Sequence, residues 1–365
     1  MISVEENLIP SEIIFKKNYN LQKLLKDLGN PQNKFKVINV VGTNGKGSTS
    51  QFIYSGLKTK FSRVGLFTSP AFLNQNERIQ FNNNVISDED LKRLLSENNE
   101  VIKKYQLTFF EIWTLLSILY FNKQNVEVAV IEAGIGGVKD STNVFENQLA
   151  VCVTSLGLDH QEVLGLSIEE IIFQKISIAK KDVRIFISAD NLKYNKTIKR
   201  VNKNEKVYTR IIEDPVYYQT FNKGLAQEVL EYLGIPFYDF HISPLGRYSV
   251  LRKEPLFILD GCHNYDGALK LCKQIKNEKE LIILFGSSEG KDQLKMLHLF
   301  KKMKRKVFIT EFDHKKSWTI DNEKFSEFEI VKDWKVFLEN NKEKNILVCG
   351  SLYFVPLVYQ WFKGE

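Results

Sequence analysis

A run of apolar, mostly β-branched residues, KVINVV at Lys36 to Val41, stops at Gly42 and gives way to GTNGKGST, Gly42 to Thr49. Such a run reads as a strand buried on both faces, and the glycines after it read as a tight turn into a helix from about Gly47 to Lys60. A strand of this kind needs helices over both faces of its sheet, which confines the chain to parallel α/β architectures. The pattern repeats at Val64 to Phe67, at EVAVIE (Glu127 to Glu132) and at LAVCVTS (Leu149 to Ser155), with helical segments between. Near Asp239 the character changes: FYDFHISPLGRYSV carries Pro244 and Gly246 without helical period and reads as an interdomain linker. Beyond it PLFILD (Pro255 to Asp260), LIILF (Leu281 to Phe285), Val307 to Thr310 and NILVC (Asn345 to Cys349) alternate with helices. At 365 residues the chain exceeds one ordinary core. The expectation is two domains, 1–242 with a phosphate loop on a parallel sheet and 243–365 as a smaller Rossmann-like α/β unit.

The strand–loop–helix context gives Gly42 to Ser48 its chemical meaning. Glycines let backbone N–H groups curl around phosphate oxygens, the helix N-terminus adds the positive end of its dipole, and Lys46 can reach terminal phosphates. The residues expected around a nucleotide are Asn44, Gly45, Lys46, Gly47 and Ser48. The segment departs from GxxxxGK[ST], because Gly47 stands between Lys46 and Ser48. An ordinary strand-to-helix turn is the bland alternative, and it does not need three glycines and a lysine.

Glu132 closes EVAVIE ahead of Ala133-Gly134-Ile135-Gly136-Gly137, so its carboxylate is expected at the carboxyl end of a strand, the edge that faces ligands in open α/β sheets. With phosphate oxygens it could hold Mg²⁺, which prefers oxygen ligands and keeps several waters; capping of the next loop is the structural alternative. The next strand ends in Ser155-Leu156-Gly157-Leu158-Asp159-His160, where residue type alone favours a hydrogen-bonded loop histidine over a metal ligand. Lys175 lies in the apolar helical stretch FQKISIA, where an ammonium is costly to bury; its amine would be neutral more often, nucleophilic, and open to CO₂ as a carbamate.

The formal charge of +7 comes from 51 basic and 44 acidic residues without a long basic block, so nucleic-acid binding is not expected; it suits anionic small molecules drawn to a cleft. Hydrophobic residues at 43% and charged at 26% exclude a disordered or fibrous class. Cys152, Cys262, Cys272 and Cys349 show no CxxC spacing, so they read as reduced core thiols. MISVEENLIPSEIIF has no basic region before an uninterrupted apolar stretch, and no eighteen apolar residues run together. The chain is expected in the cytoplasm, away from membranes.

Taken together the segments resemble the Mur ligase superfamily and, within it, the folylpolyglutamate and dihydrofolate synthases. The motifs occur in order: GTNGKGS at Gly42, TSP at Thr68, NERI at Asn76, TFFE at Thr108, EAGIGGVKDSTN at Glu132, SLGLDHQEVLG at Ser155, GR at Gly246, DGCHN at Asp260 and GSLY at Gly350. The resemblance spans roughly residues 36 to 355.

It implies an ATP- and Mg²⁺-dependent ligase that adds L-glutamate to the γ-carboxylate of a folate through an acyl phosphate, with the active site between two domains that must close. It implies two Mg²⁺ sites held by Ser69, Glu132, His160 and a carbamylated Lys175, and so prefers Ser69 to Ser48 as metal ligand. ATP would be held by Asn44 to Ser48 with Asn222, Arg247 and Asp260. His263 and Ser351 would handle glutamate, and Arg78 a substrate carboxylate. Lys46, Glu132, His160, Lys175 and His263 are thus the catalytic set. Partners would be folate, glutamate and ATP, for a monomer.

Four departures stand out. DGxHNP reads DGCHNY, with Tyr265 for proline; GGRxDATN reads GGVKDSTN, with Val138 for arginine; the segment Lys181 to Gln219 is short; and the usual HQ before Asn222 is Tyr218-Gln219. No pterin-binding feature is located, so polyglutamylation is expected and dihydrofolate synthesis stays open. Two other readings are a peptidoglycan Mur ligase, whose extra uridine-nucleotide domain does not fit a phosphate loop some 40 residues in, and a phosphate-loop switch without ligase activity, which would have no use for DGCHN and GSLY.

Overall fold

A computed structural model describes residues 1–4, 8–9, 20–240, 243–278 and 280–364. Two compact units emerge: residues 1–213 with 219–243, and residues 214–218 with 244–365. His241 and Ile242 of the expected linker lie outside the described residues, and with them the expected boundary after residue 242; so do 5–7 and 10–19 of the N-terminal segment.

In the first unit, eight strands form one sheet: β1 (Lys36–Val41), β2 (Val64–Phe67), β3 (Ile79–Phe81), β4 (Asn84–Val85), β5 (Val128–Glu132), β6 (Gln148–Val153), β7 (Ile185–Ile187) and β8 (Lys206–Tyr208). Their order is β4-β3-β2-β5-β1-β6-β7-β8. β1 lies centrally and pairs in parallel with β5 and β6, while β3 and β4 are antiparallel additions at one edge. Val37, Ile38, Val40 and Val41 are wholly buried, with Val37 in one apolar cluster and Ile38 and Val40 in another. Each such side chain contributes roughly 1.5–3 kcal/mol by leaving water, which explains the unbroken apolar run. The helix Lys46–Leu57 covers one face and the helix Phe109–Lys123 belongs to the cluster on the other.

The second unit holds β9 (Ser249–Lys253), β10 (Leu256–Asp260), β11 (Ile282–Phe285), β12 (Val307–Thr310), β13 (Glu329–Val331) and β14 (Ile346–Cys349), ordered β13-β12-β11-β14-β10-β9. All neighbours are parallel except β9, an antiparallel edge strand. That strand begins at Ser249, inside the segment expected to be linker; its exposed, mixed sequence SVLRK carries no apolar alternation, and its pairing with β10 alone makes it a strand. The four cysteines are free and buried. Among the described residues no helix is long and apolar enough to cross a membrane.

Candidate active site

Three strand ends in the first unit bring the expected residues into one neighbourhood. Behind β1, Gly42 (φ 147°) and Gly45 (φ 92°) adopt backbone angles that side-chain-bearing residues rarely take. A Cβ on Gly42 would fall inside the Thr154 side chain, and one on Gly45 would collide with Asn222 Oδ1. The loop is pinned sideways to the exit of β6: Thr43 N donates to Ser155 O at 2.7 Å, Asn44 N to the same oxygen at 3.3 Å, and Thr43 Oγ1 to Gly157 O at 3.0 Å. Asn191 holds that exit in turn, its amide donating to Thr154 O and its carbonyl accepting from Leu156 N, both at 2.9 Å.

Two lysine Nζ groups converge on the loop. Lys46 Nζ donates to Gly42 O at 3.2 Å and Thr43 O at 3.3 Å, and Lys175 Nζ donates to Gly42 O at 2.8 Å. Lys175 reaches this carbonyl from the helix Ile168–Ile176, whose N-terminus is fixed by a reciprocal Ser167–Glu170 cap. Gly137 lies so close to that helix that a Cβ would press on Gln174 O at 2.5 Å, and Val138 N donates to the same oxygen at 2.9 Å. Burial pushes the Lys175 amine down to about 7; the charge of Lys46 acts in the same direction, while Asp159 and Asp140 oppose it. The sequence-based expectation of a costly buried ammonium therefore has a geometric counterpart.

Glu132 ends β5 with a side chain only 2% exposed, accepting from Ser69 N at 3.0 Å and from the Thr68 hydroxyl. A Cβ on Gly47 would lie 3.6 Å from Glu132 Oε2, so this carboxylate borders the phosphate loop. His160 follows β6 in the left-handed region at φ 51°, with Nδ1 3.5 Å from Glu162 and Nε2 4.0 Å from Asp159. Among the described residues no group of three or more His, Cys, Asp or Glu side chains could hold a metal by itself. The donors on offer are chiefly oxygens, a carboxylate and a serine hydroxyl, with one imidazole. That set fits Mg²⁺, which takes much of its coordination from phosphate and water rather than from a protein cage.

The helix Gln219–Tyr232 supplies the adjoining amides. Gln219 Nε2 donates to Ser48 Oγ at 3.3 Å, Asn222 Nδ2 donates to Gln219 Oε1 at 2.8 Å, and Thr49 Oγ1 donates to Asn222 Oδ1 at 3.5 Å. Asn222 thus stands against the loop although the residues before it depart from the family pattern. Elsewhere in this unit Arg78 is 8% exposed, donates from Nε to Gln75 Oε1 at 2.9 Å, and sits over the rings of Phe109 and Trp113 at 5.6 and 5.2 Å.

The second unit has its own set of strand-end residues. Asp260 at the end of β10 accepts from Tyr218 Oη at 2.6 Å, Cys262 N at 2.8 Å and Tyr248 N at 2.9 Å, and burial pushes its carboxyl up. Gly261 lets Arg247 approach: a Cβ there would stand 2.9 Å from its Nη1. His263 Nδ1 lies 3.0 Å from Gly261 O, which assigns its proton to Nδ1. Tyr265 occupies the first position of the helix Tyr265–Gln274, after the Asn264 cap, where proline is favoured because that N–H has no partner within the helix. Ser351 is wholly buried; its hydroxyl meets Ser288 Oγ at 2.8 Å and accepts from Tyr353 N at 3.0 Å.

Sequence reasoning passed over Thr43, Thr68, Asn191, Tyr218, Gln219 and Ser288. Thr68 and Gln219 lay inside quoted motifs, and their strand-end and helix-start positions were the available signal. Asn191 and Ser288 lie in no recognised motif, and only the fold of each unit brings Asn191 to Thr154 and Ser288 to Ser351.

Comparison with known proteins agrees with this architecture. Residues 40–251, more than half the chain, match the Mur ligase middle domain. The dihydrofolate synthase/folylpolyglutamate synthase of Bacillus subtilis is 29% identical over 399 residues, covering 92% of each chain. The crystal structure of a folylpolyglutamate synthase from Thermotoga maritima superposes with a TM-score of 0.79 at 26% identity, covering 96% of this chain and 94% of that one. The Mycobacterium tuberculosis folylpolyglutamate synthase, solved with ADP, shares the fold at a TM-score of 0.84 and 19% identity, covering 96% of each chain. A phosphate loop bordered by a strand-end glutamate and a buried lysine, on a chain matched over more than nine-tenths of its length by such relatives, places this protein in the Mur ligase family, in its folylpolyglutamate and dihydrofolate synthase branch.

Proposed function

We propose that this chain is an ATP-dependent ligase that joins L-glutamate to the γ-carboxylate of a folate. The observation that carries the reading is the meeting of Lys46, Lys175, Glu132 and the glycine-formed loop at the ends of neighbouring parallel strands, because a polyphosphate needs both the cationic loop and the adjacent carboxylate. The relatives compared above carry the names of folate-glutamate ligases, which supports the substrate class. As a Mur ligase relative the chain shares the superfamily's chemistry, and its curated relatives point to folate rather than to a nucleotide-linked sugar peptide.

In this reading the loop Asn44 to Ser48, through its backbone N–H groups from Gly45 onward and the Lys46 ammonium, binds the β- and γ-phosphates of ATP. The substrate γ-carboxylate attacks the γ-phosphorus, the bond to the bridging oxygen of ADP breaks, and an acyl phosphate forms. The glutamate amine then attacks the acyl carbon, loses a proton, and phosphate departs to leave an amide. One anion attacking another is opposed by charge, so stabilisation is chiefly electrostatic. Mg²⁺, when bound, neutralises phosphate oxygens; Ser69, Glu132, His160 and a carbamylated Lys175 are assigned to hold it in two sites. A neutral amine is the form that takes up CO₂, and burial supplies it at Lys175. Asn222, Arg247 and Asp260 are assigned to the nucleotide, His263 and Ser351 to glutamate, and Arg78 to a substrate carboxylate.

The test is an assay of purified protein with ATP, Mg²⁺ and labelled glutamate, offered tetrahydrofolate and dihydropteroate separately, with products resolved by mass. Addition of one or more glutamates to tetrahydrofolate is expected. Glutamate-dependent ADP release with neither acceptor would overturn the folate assignment.

A further inference from the structure

The segment 214–218 leaves the first unit and packs with the second, and the chain returns at Gln219. Its last residue, Tyr218, is the one that stands where relatives of this branch have the histidine of HQ. Tyr218 Oη donates to Asp260 Oδ2 at 2.6 Å. Two backbone groups complete the arrangement, Tyr248 N on the same oxygen and Cys262 N on Oδ1. A carboxylate offers about four lone-pair directions, so three are filled and one, on Oδ1, is left to accept from a ligand. The phenol is the only side-chain donor of the three, and Asp260 is 3% exposed, so this bond forms where water competes little. Tyr217 is anchored beside it, its N–H donating to Gln274 Oε1 at 2.6 Å, which fixes the backbone that presents the phenol.

We propose that Tyr218 is a positioning residue for the ligation: its hydroxyl fixes the Asp260 carboxylate in the rotamer and ionisation state that receive the nucleotide. The inference rests on the assignment of Asp260 to the nucleotide. Burial and the neighbouring Asp260 charge push the phenol well above its usual range, so Tyr218 stays a donor at every working pH. The groups facing the carboxyl are Tyr218, Arg247, Tyr248 and Cys262; all four favour its charged form against the larger opposing effect of burial, Tyr218 foremost among them. Removing the phenol therefore moves protonation of Asp260 to higher pH as well as loosening its rotamer.

The experiment compares wild type with Tyr218→Phe, Tyr218→His, Asp260→Asn and the double variant Tyr218→Phe/Asp260→Asn, by glutamate-dependent ADP release at several pH values. Tyr218→Phe should raise KM for ATP by about tenfold, as expected for loss of one hydrogen bond to a charged group, with a smaller change in kcat. It should also move the acid limb of kcat/KM upward. Tyr218→His should recover most of the loss. The double variant should be no worse than Asp260→Asn, because both changes act through one carboxylate. Tyr218→Gln, which keeps a side-chain donor, guards against a phenylalanine variant that fails to fold, and should keep KM within about threefold of wild type. An unchanged KM in Tyr218→Phe, effects that add in the double variant, or a Tyr218→Gln as impaired as Tyr218→Phe would each overturn the positioning role while leaving Asp260 in place. A wild-type KM in Asp260→Asn would instead remove the assignment on which the inference rests.

Discussion

The loops Gly42–Ser48 and Asp260–Asn264 are the same backbone device, a turn from the carboxyl end of a parallel strand into a helix, and they are prepared for opposite charges. In the first, the Nζ groups of Lys46 and Lys175 share the carbonyl of Gly42, and Gly42 and Gly45 hold backbone angles that favour glycine. In the second, a buried carboxylate is surrounded by a phenol and two backbone N–H groups. A helix N-terminus favours anions in both places. The second loop meets that preference with the Asn264 side chain, whose Oδ1 accepts from Gly267 N at 2.9 Å, whereas the helix after the first loop starts from Gly45 with no side-chain cap. Shared topology therefore sets where chemistry happens, and the side chains at the turn set which charge is received.

The largest expected effect breaks the first loop at its cation. Lys46→Ala should lower kcat for glutamate-dependent ADP release by about 10²–10³-fold, the range seen when one preorganised electrostatic donor is removed, with the thermal midpoint little changed. Near-wild-type turnover would take Lys46 out of the mechanism. Next in size is the geometry of the same loop. Gly42→Ala places a Cβ inside Thr154 at a backbone angle that only glycine adopts readily, and should destabilise the first unit by about 3 kcal/mol. Urea unfolding measures it; an unaltered midpoint would show that the loop yields.

How much of this contrast was legible in the sequence depends on whether a residue's role is carried by its neighbours in the chain. KVINVV and GTNGKGS could be read because burial on both faces and a glycine turn leave their marks locally, and the structure has β1 over Lys36–Val41 as expected. The strands β3, β4, β7, β8, β9 and β13 were not anticipated; each has five residues or fewer, and all but the apolar, buried β7 take their conformation from a partner strand rather than from their own pattern. Lys175 was legible as an anomaly, a cation in an apolar helix, but its target at Gly42, 133 residues away, was not. Tyr218 was visible only as a departure from HQ, since its partner Asp260 is 42 residues distant.

Lys175 also sharpens the comparison through pH. Its folded pKa of about 7 lies below the ordinary lysine value of 10.5, so between those limits the unfolded chain binds a proton that the folded chain lacks. Stability then rises with pH across that window, by at most about 1.4 kcal/mol per pH unit, and this contribution is flat below it. Urea midpoints in carbonate-free buffer at pH 6.5, 7.5 and 8.5 should climb more steeply for wild type than for Lys175→Met. Parallel slopes would mean that the ammonium is stabilised in the fold and that the loop tolerates two full positive charges.

The smallest effect separates a motif residue that shapes the site from those that meet a ligand. Glu111, the acid of TFFE, accepts from Thr108 N and Thr108 Oγ1, each at 2.9 Å, and from Leu21 N at 3.0 Å, closing a reciprocal cap at the start of the helix Phe109–Lys123. Its negative charge is set against the helix N-terminus, where it is stabilising, and all three of these contacts hold backbone or cap. Glu111→Gln keeps one acceptor oxygen but loses the charge, so it should cost about 1 kcal/mol in urea unfolding. The KM for ATP should stay within about twofold of wild type, because a helix cap is tied to the fold rather than to the nucleotide. A change in KM larger than the change in stability would place this carboxylate with Glu132 and Asp260, and the distinction between loops that hold themselves and loops that hold a ligand would have to be redrawn at Thr108.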